Sequence, residues 1–265
     1  MPTAQQAALI DRIKRVLEAD ARIEAAWLAG SLGKGKGDRF SDVDVLALCT
    51  DGKAGEVSAA YADPSAIARP VLVNLLFGGY IVNVVTEDWQ RFDIVFLEKA
   101  GLGRYNAADL TPLFNRSGTG PPHAERKPYA ATPDAVLKLV NEFLRVIGLG
   151  PVGLGRGEYL VALTGIEFLR RMTIDLMLEE NGVGPAERGG ALRVNVFLTE
   201  DQRRALESLP PVAADRESLL AADRALAAVF LPRARALAAK IDMAWPDALE
   251  QATRRHLKAE LGLEI

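Results

Sequence analysis

The chain has 265 residues, 49% hydrophobic and 25% charged, with a formal net charge of −3. Such a composition fits a soluble globular protein that buries a substantial core in one large domain or two modest ones. The slight acidity gives no overall positive field to draw the chain to DNA, RNA or anionic lipid. Cys49 is the single cysteine, within an apolar run, so no disulfide framework or cysteine zinc site can form within one chain, and a cytoplasmic location is the default expectation.

Taken in order, the first twenty residues, MPTAQQAALIDRIKRVLEAD, place apolar side chains at helical spacing among charges of both signs. That predicts an amphipathic helix rather than a signal peptide. Short apolar, β-rich runs follow: RIEAAWLA, DVDVLALC, RPVLVNLLF, YIVNVVTE and RFDIVFLE. A helix over residues 55–68 is expected between the second and third runs, and FGGY marks a hairpin between the third and fourth. The longest apolar stretch, VLVNLLFGGYIVNVV, is interrupted by Asn74, Gly78, Gly79 and Asn83 and is too short to span a bilayer.

Near residue 120 the pattern changes. NRSGTGPPHAERKPYAATP reads as a linker. Beyond it, TPDAVLKLVNEFLRVIG opens with Thr132 as N-cap and Pro133 as first helical residue, and stops at Gly148. GEYLVALTGIEFLRRMTIDLMLEENG is a second helix. From residue 213 onward the chain is rich in Ala and Leu and helical, with a bend or break expected near Pro232 and Pro246. The predicted organisation is an α/β domain over 1–120, a linker over 121–132 and an all-α helical bundle over 133–265.

The chemistry concentrates in AGSLGKGKGDRFSDVDVLAL, residues 29–48. An ATP-binding P-loop requires G-x-x-x-x-G-K-[ST], and Gly37 stands where the magnesium-binding hydroxyl belongs. A dinucleotide-binding G-x-G-x-x-G fails because Asp38 occupies the third glycine. Glycines and lysines alone describe a solvated loop. The aspartates say more. In a strand, Asp42 and Asp44 share a face while Val43 and Val45 take the other, and two residues span roughly 6.6 Å. Two like charges beside an apolar run are costly to bury unless a divalent cation offsets them.

Gly30-Ser31, a glycine-rich spacer and Asp42-Val43-Asp44 resemble the signature of the nucleotidyltransferase superfamily that includes DNA polymerase β. In that family a third carboxylate follows on a later strand between apolar residues, and Asp93, flanked by Phe92 and Ile94, matches it. DARIEAAWLAGSLGKGKGDRFSDVDVLAL, RFDIVFLEK and GLGRGEYLVAL are similar to the lincosamide and aminoglycoside nucleotidyltransferases, with a mixed, twisted sheet flanked by helices before a helical domain. Lincosamide-modifying members can carry Glu and His at the second and third carboxylates. This chain has Asp at both.

The resemblance implies an enzyme that moves a nucleoside monophosphate, AMP from ATP, onto a hydroxyl of a small molecule, with release of pyrophosphate. It implies two Mg2+ ions held by Asp42, Asp44 and Asp93, and a triphosphate bound by Gly30 and Ser31. Lys34 either adds a positive charge there or is a solvated loop residue. Ser41 either hydrogen-bonds a phosphate or starts the strand. For the base that takes the acceptor's proton, His123 and His256 lie in the linker and the last helix, which leaves Glu158 and Asp93. A protein or nucleic-acid acceptor, of the toxin–antitoxin kind, and a nucleotide sensor without turnover are the other classes open. A homodimer is expected from the Ala/Leu/Val-rich C-terminal helices and from the resemblance.

Overall fold

The computed structural model describes residues 2–125, 127–188 and 193–265. The chain divides into two compact units, Met1–Arg126 and Lys127–Ile265.

In the first unit, helix α1 (Ala4–Ala19) opens with a reciprocal cap in which the Thr3 side chain accepts from the Gln6 N–H and the Gln6 side chain accepts from the Thr3 N–H. Its apolar stripe, Leu9, Ile13 and Leu17, is buried. Strand β1 (Ile23–Leu28) leads through a single helical turn, α2 (Gly30–Gly33), to β2 (Val43–Cys49). After α3 (Ala54–Ala60) come β3 (Pro70–Leu76), β4 (Ile81–Thr86), β5 (Arg91–Leu97) and β6 (Thr111–Asn115).

The six strands form one sheet in the order β3-β4-β5-β2-β1-β6. Among the described residues only β2 and β5 pair in parallel and the other pairs are antiparallel, so the sheet is mixed, as the resemblance implied. One face is covered by α1 and α3, which bury Val43, Val45, Ala47, Phe92, Ile94 and Phe96. On the other face Ala25, Trp27, Leu46 and Leu48 are covered by a 3-10 segment, Lys99–Arg104, through Leu102. That cover lies toward the C-terminal ends of β2 and β5. Their N-terminal ends carry Asp44 and Asp93 on the same face.

Two local expectations change in this unit. The helix foreseen over 55–68 ends at Ala60, because Pro64 disfavours helical backbone in the residue before it. Strand β6 was not foreseen: TPLFN is short, contains Pro112 and pairs only along the edge of β1. The FGGY hairpin forms as expected, with Gly78 and Gly79 at positive φ in the turn between β3 and β4.

Among the described residues the second unit is all helical. It contains α4 (Pro133–Ile147), α5 (Gly150–Gly155), α6 (Tyr159–Glu180), α7 (Pro185–Arg188), α8 (Glu200–Glu207), α9 (Arg216–Lys240) and α10 (Asp247–Leu261). Thr132 caps α4 and Pro133 is its first residue, as read from sequence. The core is built from α4, α6 and α9, with Phe143 and Phe230 stacked at 3.7 Å between ring centroids. Helix α9 continues through Pro232, where a bend or break was expected. Burial of Phe230, Leu231 and Ala234 on both sides of the proline offsets the lost backbone hydrogen bond. Pro246 does interrupt the chain, as the N-cap of α10. Among the described residues no helix is long and apolar enough to cross a membrane.

Candidate active site

The register of the parallel pair decides the arrangement of carboxylates. Asp44 on β2 lies directly opposite Asp93 on β5, so the two side chains are neighbours on one face of the sheet. The row continues sideways: Asp93 pairs with Asn83 on β4, and Asn83 with Asn74 on β3. Asn83 Nδ2 donates to Asp93 Oδ1 at 2.6 Å, and Asn74 Nδ2 donates to Asn83 Oδ1 at 3.1 Å. Four polar residues therefore cross the sheet in line, and the two amides fix the orientation of the Asp93 carboxylate. Asp42 lies one residue ahead of β2 at the same end.

The glycine turn meets this row from the side. The Ala29 N–H donates to the Asp44 carbonyl at 2.8 Å, which carries the chain from β1 across the top of β2. Gly30 then takes a φ of 57°, and a Cβ at this position would overlap the Asp44 carboxylate. Only glycine satisfies both the backbone and the close approach. Gly33 is held from β6, where Thr111 Oγ1 donates to its carbonyl at 2.9 Å. The opening N–H groups of this one-turn helix, at Gly30 and Ser31, have no partner within the helix. Ser31 is half-buried, and Lys34, at the end of the turn, is exposed.

The loop between the turn and β2 is tied down from α1. Gln6 Nε2 donates to the carbonyls of Asp38 (2.9 Å) and Ser41 (2.7 Å). The Ser41 hydroxyl donates to Asp38 Oδ1 at 3.1 Å and accepts from the Asp38 N–H at 3.0 Å, so it closes the turn that feeds Asp42 into place. Arg91 Nη2 donates to the Phe40 carbonyl at 2.8 Å, anchoring the same loop to β5.

The electrostatics follow from this packing. Burial, then the charges of Asp42 and Asp93, push the Asp44 carboxyl up to about 6, against a smaller opposing pull from Arg91. Burial also raises Asp93, with Asp42 adding to the rise, while the Asn83 hydrogen bond and Arg91 act the other way. Like charges are thus gathered in a half-buried place at an energetic cost. Among the described residues no group of three His, Cys, Asp or Glu is placed to hold a metal ion. Asp93 is turned toward Asn83, and like charges at this separation repel. An all-oxygen donor set, a glycine cradle that a Cβ would fill and carboxylates raised by burial and by one another's charge suit a hard divalent cation such as Mg2+.

Gly30, Ser31, Lys34, Ser41, Asp42, Asp44 and Asp93 all belong to the first unit, and Asp44, Asp93 and Gly30 meet. Glu158 belongs to the second unit, where it caps α6 with an exposed side chain that makes no capping hydrogen bond. Asn83, Gln6 and Thr111 were not singled out from sequence. For Asn83 a signal existed: in IVNVVT it alternates with Val82 and Val84, which marks it as facing away from the helices.

No protein-family model and no curated protein matches the chain. Among solved structures it is similar to an aminoglycoside 6-adenyltransferase from Bacillus subtilis, with a TM-score of 0.46 and 16% identity over 96% of this chain and 97% of that one. It is also similar to a nucleotidyltransferase-like protein from Exiguobacterium sibiricum 255-15, with a TM-score of 0.35 and 15% identity over 98% of this chain and 89% of that one. Likeness of this degree assigns no residue and no substrate to the chain.

Proposed function

We propose that the protein is a magnesium-dependent nucleotidyltransferase that moves a nucleoside monophosphate, AMP from ATP, onto a hydroxyl of a small molecule, a lincosamide- or aminoglycoside-like antibiotic being the class to test first. The observation that carries this is the placement of Asp44 opposite Asp93 on parallel strands, with Gly30 packed on the Asp44 carboxylate. A structural role for two adjoining, raised carboxylates is hard to find, because each would be more stable in the fold as an amide.

In this proposal Asp42, Asp44 and Asp93 hold two Mg2+ ions. When bound, the ions offset the charge of the triphosphate and of the leaving pyrophosphate. The N–H groups at Gly30 and Ser31 donate to phosphate oxygens, with Ser31 Oγ beside them and Lys34 supplying a point charge from the end of the turn. Ser41 contributes by holding the loop that presents Asp42. Asp93 orients the acceptor hydroxyl, and Glu158 and Asp93 are the two candidates to take its proton. Asn83 fixes the Asp93 carboxylate so that one oxygen stays available. Exposed apolar side chains on edge strand β3, Leu72 and Leu75 among them, and on the turn after it, Phe77, support the further proposal of a homodimer.

A screen for pyrophosphate release tests the activity, with each nucleoside triphosphate offered against hydroxylated antibiotics in magnesium and in chelator. Release that needs both magnesium and an acceptor is expected. Release of inorganic phosphate instead would replace transfer of a nucleotide with transfer or hydrolysis of a terminal phosphate.

A further inference from the structure

The helical unit contains a cleft of about 850 Å3, lined from the C-terminal end of α4, through α5, to the first half of α6 and the start of α9. That size suits a drug-sized molecule. Its walls are apolar, and they stay apolar where they meet solvent: Leu149, Val152, Leu160, Val161 and Phe168 are all among the exposed large hydrophobic residues. Side chains of this kind, contiguous around a concavity, are costly to leave wet without a ligand to cover them.

One charged group lies within. Asp223 of α9 lines the cleft and is only 5% exposed. Among the described residues its carboxyl has no hydrogen bond and no ion pair. The carboxyl packs against Gly150, where a Cβ would sit 3.5 Å from Asp223 Oδ2. A buried carboxyl is ordinarily paired, since burying it alone is expensive. Burial alone raises its pKa to about 7. The other charged groups lining the cleft are Arg145 of α4, Arg156 after α5 and Glu158 at the start of α6.

We propose that this cleft binds a small amphipathic molecule bearing a single amine, with the ammonium against Asp223 and the apolar body against Leu160, Val161 and Phe168. Asp223 is the one buried carboxylate lining the cleft and matches one cation, Glu158 being exposed. A polycation would set further charges against apolar walls and the two arginines. Every residue that lines the cleft lies in the second unit, Glu158 among them, and the amine is expected to bind there without nucleotide or metal.

The test uses the whole chain in chelator, without nucleotide, titrated with 4-phenylbutylamine and with its neutral counterpart 4-phenylbutanol. Binding is followed by amide chemical shifts. The amine is expected to bind at least about tenfold more tightly than the alcohol, with shifts confined to the cleft. The preference should grow from pH 6 to pH 8 as Asp223 ionises. Asp223→Asn should abolish it, with an unchanged circular dichroism spectrum. Leu160→Arg, at a position 75% exposed and so safe for folding, should weaken the amine more than the alcohol. Equal binding of the two, binding of neither, shifts outside the cleft, or a preference that survives in Asp223→Asn would overturn the assignment. None of these outcomes bears on pyrophosphate release.

Discussion

Asp44→Asn should make the protein more stable while it disables the site. With its carboxyl held near 6 against an ordinary 3.8, Asp44 binds a proton more tightly in the folded chain than in the unfolded one. Stability therefore falls as pH rises from 3.8 to about 6, and the deficit persists above that window. A shift of about two decades in proton affinity corresponds to about 3 kcal/mol at neutral pH. Partial solvent access to the carboxylate lowers the usable figure to about 1–3 kcal/mol. Urea unfolding of parent and variant in chelator at about pH 7.5 should show that gain for Asp44→Asn. At about pH 4.5 the gain should shrink to roughly a third, since the folded carboxyl is then mostly neutral. Added magnesium should raise the parent's midpoint and leave the variant's nearly unchanged. A variant less stable than the parent at neutral pH in chelator would refute the reasoning, because the carboxylate would then be a paired structural group.

Asp93→Asn should leave the affinity for magnesium-ATP within about threefold and lower turnover by about a hundredfold or more, as expected for an interaction made chiefly in the transition state. Calorimetry and pyrophosphate release on the same preparation check this. Asn83→Ala should lower kcat roughly 10- to 100-fold by freeing the Asp93 carboxylate, with KM for nucleotide little changed, as steady-state kinetics would show. Gly30→Ala forces a left-handed φ on alanine and a Cβ into the Asp44 carboxylate. It should cost roughly 1–3 kcal/mol in urea unfolding and abolish nucleotide binding. Light scattering should give about twice the 28.6 kDa chain mass; the monomer mass at micromolar concentration would contradict the homodimer.

How far the sequence reached depended on whether a feature was local. Strands β1 to β5 show as apolar runs between turn residues, and Thr132-Pro133 marks the start of α4, because these signals lie within a few residues of what they specify. The Asp42-Val43-Asp44 alternation was legible for the same reason, whereas its link to Gly30 came from the family resemblance. The opposition of Asp44 and Asp93 was not, since the register of a parallel pair is set by a crossover of about forty residues rather than by either strand. Asn83 read as an interruption of an apolar run until that register placed it beside Asp93. Pro232 read as a bend or break, and the buried neighbours that carry α9 through it are brought from other helices. Asp223 gave no signal, as an acid inside ADRALAAVF is indistinguishable from one on a solvated face until its burial is known.

The proposed metal site is tested most directly by titration of ATP into the protein by calorimetry, in magnesium and in chelator. Three gathered carboxylates should repel a bare triphosphate, so binding is predicted in magnesium and should be undetectable in chelator, with Asp42→Asn weakening the magnesium-dependent affinity. Equal affinity in magnesium and in chelator would contradict the assignment of Asp42, Asp44 and Asp93 as the site that carries the nucleotide.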